Sequence, residues 1–166
     1  MTKSTHTISV LVANKFGVLA RVAGLFSGRG YNISSLTVNP TFDPSVSQMT
    51  IVTSGDEAIM EQIEKQLRKL VDVKKVVNLS GGGFIEREMA LFKISVPDAT
   101  AQAQIIQFAE IFEGKVIYVD KHQLGIEISG RSDKIDYFMM LVKDFGILEM
   151  ARSGRVAISK KNPEEI

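Results

Sequence analysis

Few side chains in this chain are equipped for chemistry. The only histidines are His6 and His122, there is no cysteine, and the two histidines fall in separate halves of the sequence. Neither a Ser-His-Asp relay nor a two-histidine metal site can be assembled within one half, so no catalytic residue and no metal ligand is assigned. Each histidine is read as a solvated strand or hairpin residue. Glu86 and Glu88 on either side of Arg87 have the types needed for paired-carboxylate chemistry. Alternate strand residues face opposite ways, though, and nothing nearby makes a buried pocket, so the segment is read as the salt-bridged start of a strand. Gly81-Gly82-Gly83-Phe84 has neither a Walker lysine nor the Gly-x-Gly-x-x-Gly spacing and reads as a flexible linker. What remains is Asn14-Lys-Phe-Gly17, where a strand hands over to a helix. A helix start there offers unpartnered N–H groups and the positive end of the helix dipole, which suits a carboxylate. A tight strand-to-helix turn with no ligand is the other reading of the same residues.

The elements that position this turn follow from periodicity. Ile8, Val10 and Val12 alternate with Thr7, Ser9 and Leu11 as a half-buried strand, and Leu19, Val22, Ala23 and Phe26 then take helical spacing. Tyr31 to Val38 predicts a second strand, ended by the two prolines of Asn39 to Ser45; Gln48 to Thr53 predicts a third. Asp56 caps a helix with Ile59, Ile63, Leu67 and Leu70 on one face, and Val71 to Leu79 closes the unit as a fourth strand. The order βαββαβ predicts an antiparallel sheet with both helices on one face, the ferredoxin-like arrangement. After the glycine linker the plan repeats. Phe84 to Val96 is a strand, Ala101 to Phe112 a helix, Lys115 to Val119 and Leu124 to Ser129 a hairpin; a helix with Ile135, Phe138, Met139 and Val142 follows, and Ile147 to Ser159 supplies one or two last strands. Ile-Val-Thr-Ser-Gly55-Asp matches Ile-Glu-Ile-Ser-Gly130-Arg, an internal repeat whose second copy lacks the Asn-x-x-Gly turn. The fold class is therefore α+β, two tandem ferredoxin-like βαββαβ domains at residues 1–80 and 84–166, with any ligand of the Asn14 turn confined to the first.

Composition excludes little else. Twenty basic against nineteen acidic residues give a net charge of +1, which provides no general pull toward nucleic acid or a membrane surface, and 45% apolar residues suffice for sizeable cores. No apolar run approaches the ~20 residues needed to cross a bilayer. A soluble cytoplasmic protein is expected. Lys65, Arg68, Lys69, Lys74 and Lys75 cluster at the end of the second helix, as a solvated face or as a dock for an acidic partner. The ferredoxin-like order also occurs in the RNA recognition motif, but the aromatic strand signature that motif needs is missing from the central strands.

The run from Asn14 through Gly17-Val18-Leu19, Arg21-Val22, Gly24-Leu25-Phe26 and Arg29-Gly30-Tyr31-Asn32-Ile33 to Val38 resembles the small regulatory subunit of acetolactate synthase (acetohydroxyacid synthase), which opens with an ACT domain. The resemblance continues through Gly55-Asp56, Ile59 to Leu67, Lys69 to Val73 and Glu86 to Leu91, and ends in Ala151-Arg152-Ser153-Gly154. It implies a homodimer that senses L-valine. The carboxylate and amine would be held by Asn14 and the backbone of Gly17, Val18 and Leu19 from one subunit, with Asn32 and Ile33 from the other, and Val18, Leu19 and Ile33 would wall the isopropyl group. It further implies a non-catalytic chain that activates a large catalytic subunit, which carries the thiamine diphosphate, Mg and FAD and condenses pyruvate with pyruvate or 2-oxobutanoate. No cofactor is expected in this chain. A free-standing amino-acid-binding ACT regulator is the alternative; an enzyme in its own right lacks any convergent titratable cluster to support it.

Overall fold

In a computed structural model, residues 4–162 are described. The first unit runs β1 (Ser4–Ala13), α1 (Val18–Ser27), β2 (Ile33–Pro40), β3 (Val46–Gly55), α2 (Glu57–Leu67) and β4 (Val73–Asn78), with the antiparallel sheet in the order β2-β3-β1-β4. The period-two alternation turns Ile8, Val10 and Val12 of β1 and Met49 and Ile51 of β3 toward the helices. There they meet Val18, Val22 and Phe26 of α1 and Met60, Ile63 and Leu67 of α2, all buried. Asp56 caps α2 as expected, its carboxylate accepting from Ile59 N–H at 2.8 Å. Asp56→Ala should lower stability by about 1 kcal/mol, checked as the shift in urea midpoint at constant slope. The helix ends at Leu67, before the expected Leu70, and Val71 stands in solvent rather than in a strand.

The second unit repeats the plan: β5 (Phe84–Ser95), α3 (Ala99–Ile111), β6 (Lys115–Asp120), β7 (Gln123–Gly130), α4 (Ser132–Val142), a short 3-10 turn (Lys143–Phe145) and β8 (Ile147–Arg152), with sheet order β6-β7-β5-β8. This is the first unit's order, strand for strand. Phe138 of α4 centres the core, in edge-to-face contact with Phe92 at 5.1 Å and Phe112 at 5.6 Å. The aligned pair Gly55 and Gly130 has one physical role. Each ends a strand just before a helix, and an added Cβ would sit 2.8 Å from Ile59 Cγ2 or 2.6 Å from Lys134 Cδ respectively. The missing side chain lets each helix lie close to the strand that feeds it.

The division of the chain departs from the expected boundaries. Residues as far as Ile85 belong with the first unit, Glu86–Gly154 form the second, and the described residues from Arg155 onward return to the first. That returning stretch includes β9 (Val156–Ser159), assigned to the second domain by the sequence reading. It lies across the face of the first sheet that is turned away from the helices. Thr37 Oγ1 donates to the Arg155 carbonyl at 2.7 Å, the Ala157 N–H to Thr50 Oγ1 at 3.3 Å, and Gln48 Nε2 to the Ala157 carbonyl at 3.1 Å. Side chains on the outer face of the sheet thus satisfy the strand's backbone groups, and Ala157 is buried.

Candidate functional site

The β1–α1 turn takes a conformation that only glycine adopts without strain: Gly17 has φ +81° and ψ −7° and stands at the N-cap of α1. The four helices differ in what fills their first turn. Asp56 and Asp98 cap α2 and α3, and α4 carries Asp133 in its first turn. Helix α1 has neither a side-chain cap nor an acidic residue there. The Leu19 and Ala20 N–H groups have no acceptor among the described residues, while Arg21 N–H already bonds to the Gly17 carbonyl at 3.0 Å. This end of α1 has an open place for one anion.

Asn14 sits beside it. Its N–H donates to the Ser45 carbonyl at 2.8 Å and its Nδ2 to the Pro44 carbonyl at 2.9 Å, which pins the side chain and leaves the amide oxygen as an acceptor. The same loop holds Asp43, whose carboxyl is kept below the usual carboxylate range by hydrogen bonds from the Ser45 hydroxyl and N–H. Leu19 is 44% exposed at the turn. Val18 corrects the expectation: its side chain is 3% exposed and belongs to the core, so only its backbone is available to a ligand. The reason is helical phase, since Val18, Val22 and Phe26 form the inward stripe.

Asn32 and Ile33 lie elsewhere. Ile33 pairs with Thr53, which pairs with His6 at the far end of β1, whereas Asn14 follows Ala13 at the near end. His6 and Ala13 are seven positions apart, about 23 Å of strand. One chain does not bring the two sets together. Asn32 is exposed, and its carbonyl accepts from Thr53 Oγ1 at 2.6 Å.

The strand entry at Glu88 is salt-bridged as expected, though buried where no buried pocket was expected, and the solvated reading of His6 is overturned. Glu88 is 6% exposed, and Arg152 donates to its carboxylate through Nε at 2.9 Å and Nη2 at 2.7 Å. Ser132 Oγ adds a third donor at 2.7 Å, and Arg152 Nη1 reaches Asp136 at 2.6 Å. The Glu86–Leu91 and Ala151–Gly154 blocks thus meet in one ion pair whose carboxylate is buried and whose guanidinium is partly exposed. His6 is buried too, with Nε2 bonded to Ser4 Oγ at 2.7 Å and the Gly55 carbonyl at 3.1 Å. Among the described residues no group of three or more His, Asp or Glu side chains could hold a metal ion, and no helix is long and apolar enough to cross a membrane.

Comparison with known proteins covers both units. A family described as an AHAS small subunit-like ACT domain matches residues 8–75, and one described as the small subunit of acetolactate synthase matches residues 87–161. The acetolactate synthase isozyme 3 small subunit of Salmonella typhimurium is 49% identical over 154 residues, 92% of this chain and 94% of that one. A probable acetolactate synthase small subunit of Methanothermobacter thermautotrophicus is 44% identical over 160 residues, 96% and 95% of the respective chains. The crystal structure of the acetolactate synthase small subunit from Thermotoga maritima matches with a TM-score of 0.86 at 42% identity, covering 96% of this chain and 99% of that one. With both units matched, and with relatives at this identity along almost their whole length, the chain belongs to the acetolactate synthase small-subunit family.

Proposed function

We propose that this chain is a regulatory subunit that activates a thiamine-diphosphate-dependent acetolactate synthase and conveys feedback by L-valine in branched-chain amino-acid synthesis. The observation that carries the reading is the unfilled first turn of α1: two N–H groups without acceptors, a left-handed glycine with nothing within 4 Å of an added Cβ, and, three residues before that glycine, Asn14 pinned through its Nδ2. An α-amino acid presents a carboxylate for the N–H groups and an ammonium for the asparagine oxygen. Thiamine diphosphate, Mg and FAD belong in this reading to the catalytic partner, and the holoenzyme to the cytoplasm.

Strand register supports a homodimeric site. Within its sheet β2 has β3 as its neighbour and is otherwise an edge. Antiparallel pairing of β2 with β2 of a second copy would carry that copy's Asn32 and Ile33 from the far end of the sheet to the end where Asn14 and Gly17 stand. A ligand shared in this way binds only the paired arrangement. It can therefore bias that arrangement, by no more than its difference in affinity for the paired and unpaired states. Leu19 of one copy and Ile33 of the other would then flank the isopropyl group; one or two missing carbons are worth ~1–3 kcal/mol, so alanine should bind roughly 10- to 200-fold more weakly.

Isothermal titration of the purified chain with L-valine tests the assignment. Saturable binding is expected, weakened at least about tenfold in Asn14→Ala by loss of one charge-assisted hydrogen bond. Absence of binding by the wild-type chain, alone and with the catalytic subunit added, would remove the sensor reading.

A further inference from the structure

Three turns meet at the end of the first unit where β1 stops, and each presents a large apolar side chain to solvent. Phe16 of the β1–α1 turn and Phe42 of the β2–β3 loop are fully exposed, and Val71 of the α2–β4 turn is 91% exposed. These turns are fixed to one another. Ala13 N–H donates to the Asp72 carbonyl and Asn14 N–H to the Ser45 carbonyl, both at 2.8 Å, and Arg21 pairs with Asp72 across them. Single exposed apolar residues are ordinary on a surface, but two phenylalanines and a valine on turns tied together at one end mark an interaction site. The charges at this end are also uneven. Asp72 is taken up by Arg21, and Asp43 by Ser45 and Lys74, whereas Lys15 and Lys69 have no carboxylate paired with them among the described residues.

From this arrangement we infer that the Phe16, Phe42 and Val71 tip is the surface by which the chain docks on its catalytic large subunit, filling apolar pockets rimmed by acidic side chains. The inference rests on the regulatory-subunit reading and extends it to a surface. Aromatic anchors within a charged rim are the usual composition of an interface centre, and the positive rim selects an acidic counterpart. A second copy of this chain fits the tip poorly, because two-fold pairing of the tip would bring two patches that both carry the unpaired Lys15 and Lys69 face to face. The location also joins docking to sensing. Phe16 directly precedes Gly17, so a ligand seated on the first turn of α1 contacts the same turn that carries one of the anchors.

The test measures association of the full chain with the large subunit by titrated activation of acetolactate formation, for wild type and for the Phe16→Ser, Phe42→Ser double variant. Both side chains are solvent-exposed, so circular dichroism and thermal melting of the variant should match wild type. The apparent Kd for the large subunit is expected to rise at least about 30-fold, with L-valine binding to the isolated Phe42→Ser chain within twofold of wild type. Lys15→Glu with Lys69→Glu should weaken association further at low salt than at high salt. Unchanged activation by a folded double variant would overturn the inference and leave the regulatory reading standing. Failure of the wild-type chain to bind the large subunit at all would instead remove the reading beneath it. Loss of self-association in the double variant would assign the tip to a second copy. Wild-type sedimentation with phosphatidylserine vesicles, abolished in the double variant while activation is retained, would assign it to a membrane surface; either result overturns the docking inference.

Discussion

Arg152→Ala should destabilise the second unit by about 3–5 kcal/mol, the cost of leaving a buried carboxylate without its partner. Glu88 accepts hydrogen bonds from Arg152 Nε and Nη2 and from Ser132 Oγ, and the hydrogen bond to Glu88 is the main reason the Arg152 guanidinium is held even further above its ordinary range. Arg152 joins β8 to β5 directly, since it is also the strand partner of Ala90. Its loss removes a cation and the tie between two strands together. Glu88→Ala should cost less, because the remaining guanidinium is partly exposed and keeps Asp136. Replacing both, as Glu88→Leu with Arg152→Met, should recover most of the loss, since an apolar pair of similar volume avoids the desolvation cost of the ions. Differential scanning calorimetry of the three variants checks this. The transition of the second unit should fall by more than about 10 °C in Arg152→Ala and return toward wild type in the double variant. If Arg152→Ala melted within 2 °C of wild type at about the same calorimetric enthalpy, the pair would be shown to contribute nothing.

The same pair shows how far the sequence could be read. The inward face of β5 is spelled out by Ala90, Phe92 and Ile94, and extending that alternation by one step reaches Glu88. The inward face of β1 is spelled out by Ile8, Val10 and Val12, and one further step reaches His6. Reading His6 as solvated, and Glu88 as salt-bridged but outside any buried pocket, followed residue type and stopped the period where the apolar residues stopped. Periodicity carried the correct answer in each case. The Val18, Val22 and Phe26 stripe likewise stood in the sequence at spacing i, i+4, i+8, and it decides that Val18 faces the core while Leu19 faces out.

Other features had no local signal. The stretch from Arg155 through Ser159 reads as one more short strand, and a strand pattern does not name its partner. Its seat is set by Thr37, Gln48 and Thr50, polar residues on the outer face of a sheet more than 100 positions away in the chain. Those side chains look like ordinary solvent-facing strand residues until a backbone lies across them. The glycine run lies within a few residues of the division after Ile85, but a linker says nothing about which unit the described residues from Arg155 onward return to. The order of elements, by contrast, was legible because each depends on neighbours within a few residues, and the repeat was legible because Gly55 and Gly130 answer the same steric demand.

Gly17→Asp should abolish the L-valine response of the holoenzyme, lowering valine affinity by at least about 100-fold, while leaving the fold intact. Three effects of the substitution are distinct. An added Cβ at Gly17 meets nothing within 4 Å, so no collision disturbs the turn. The left-handed backbone at φ +81° costs a non-glycine residue on the order of 1 kcal/mol, less for aspartate than for most, which is too little to unfold the unit. What remains is charge. The new carboxylate stands at the N-cap of α1, beside the Leu19 and Ala20 N–H groups, and a ligand carboxylate would have to share those donors with it against like-charge repulsion. Gly17→Ala carries the same backbone cost without the charge and is the control; it should retain weakened but saturable valine binding. Titration of both variants with L-valine, beside valine inhibition of the reconstituted holoenzyme, decides the matter. An aspartate variant that binds within about threefold of wild type, or an alanine variant as defective as the aspartate, would sink the assignment of the ligand carboxylate to the first turn of α1.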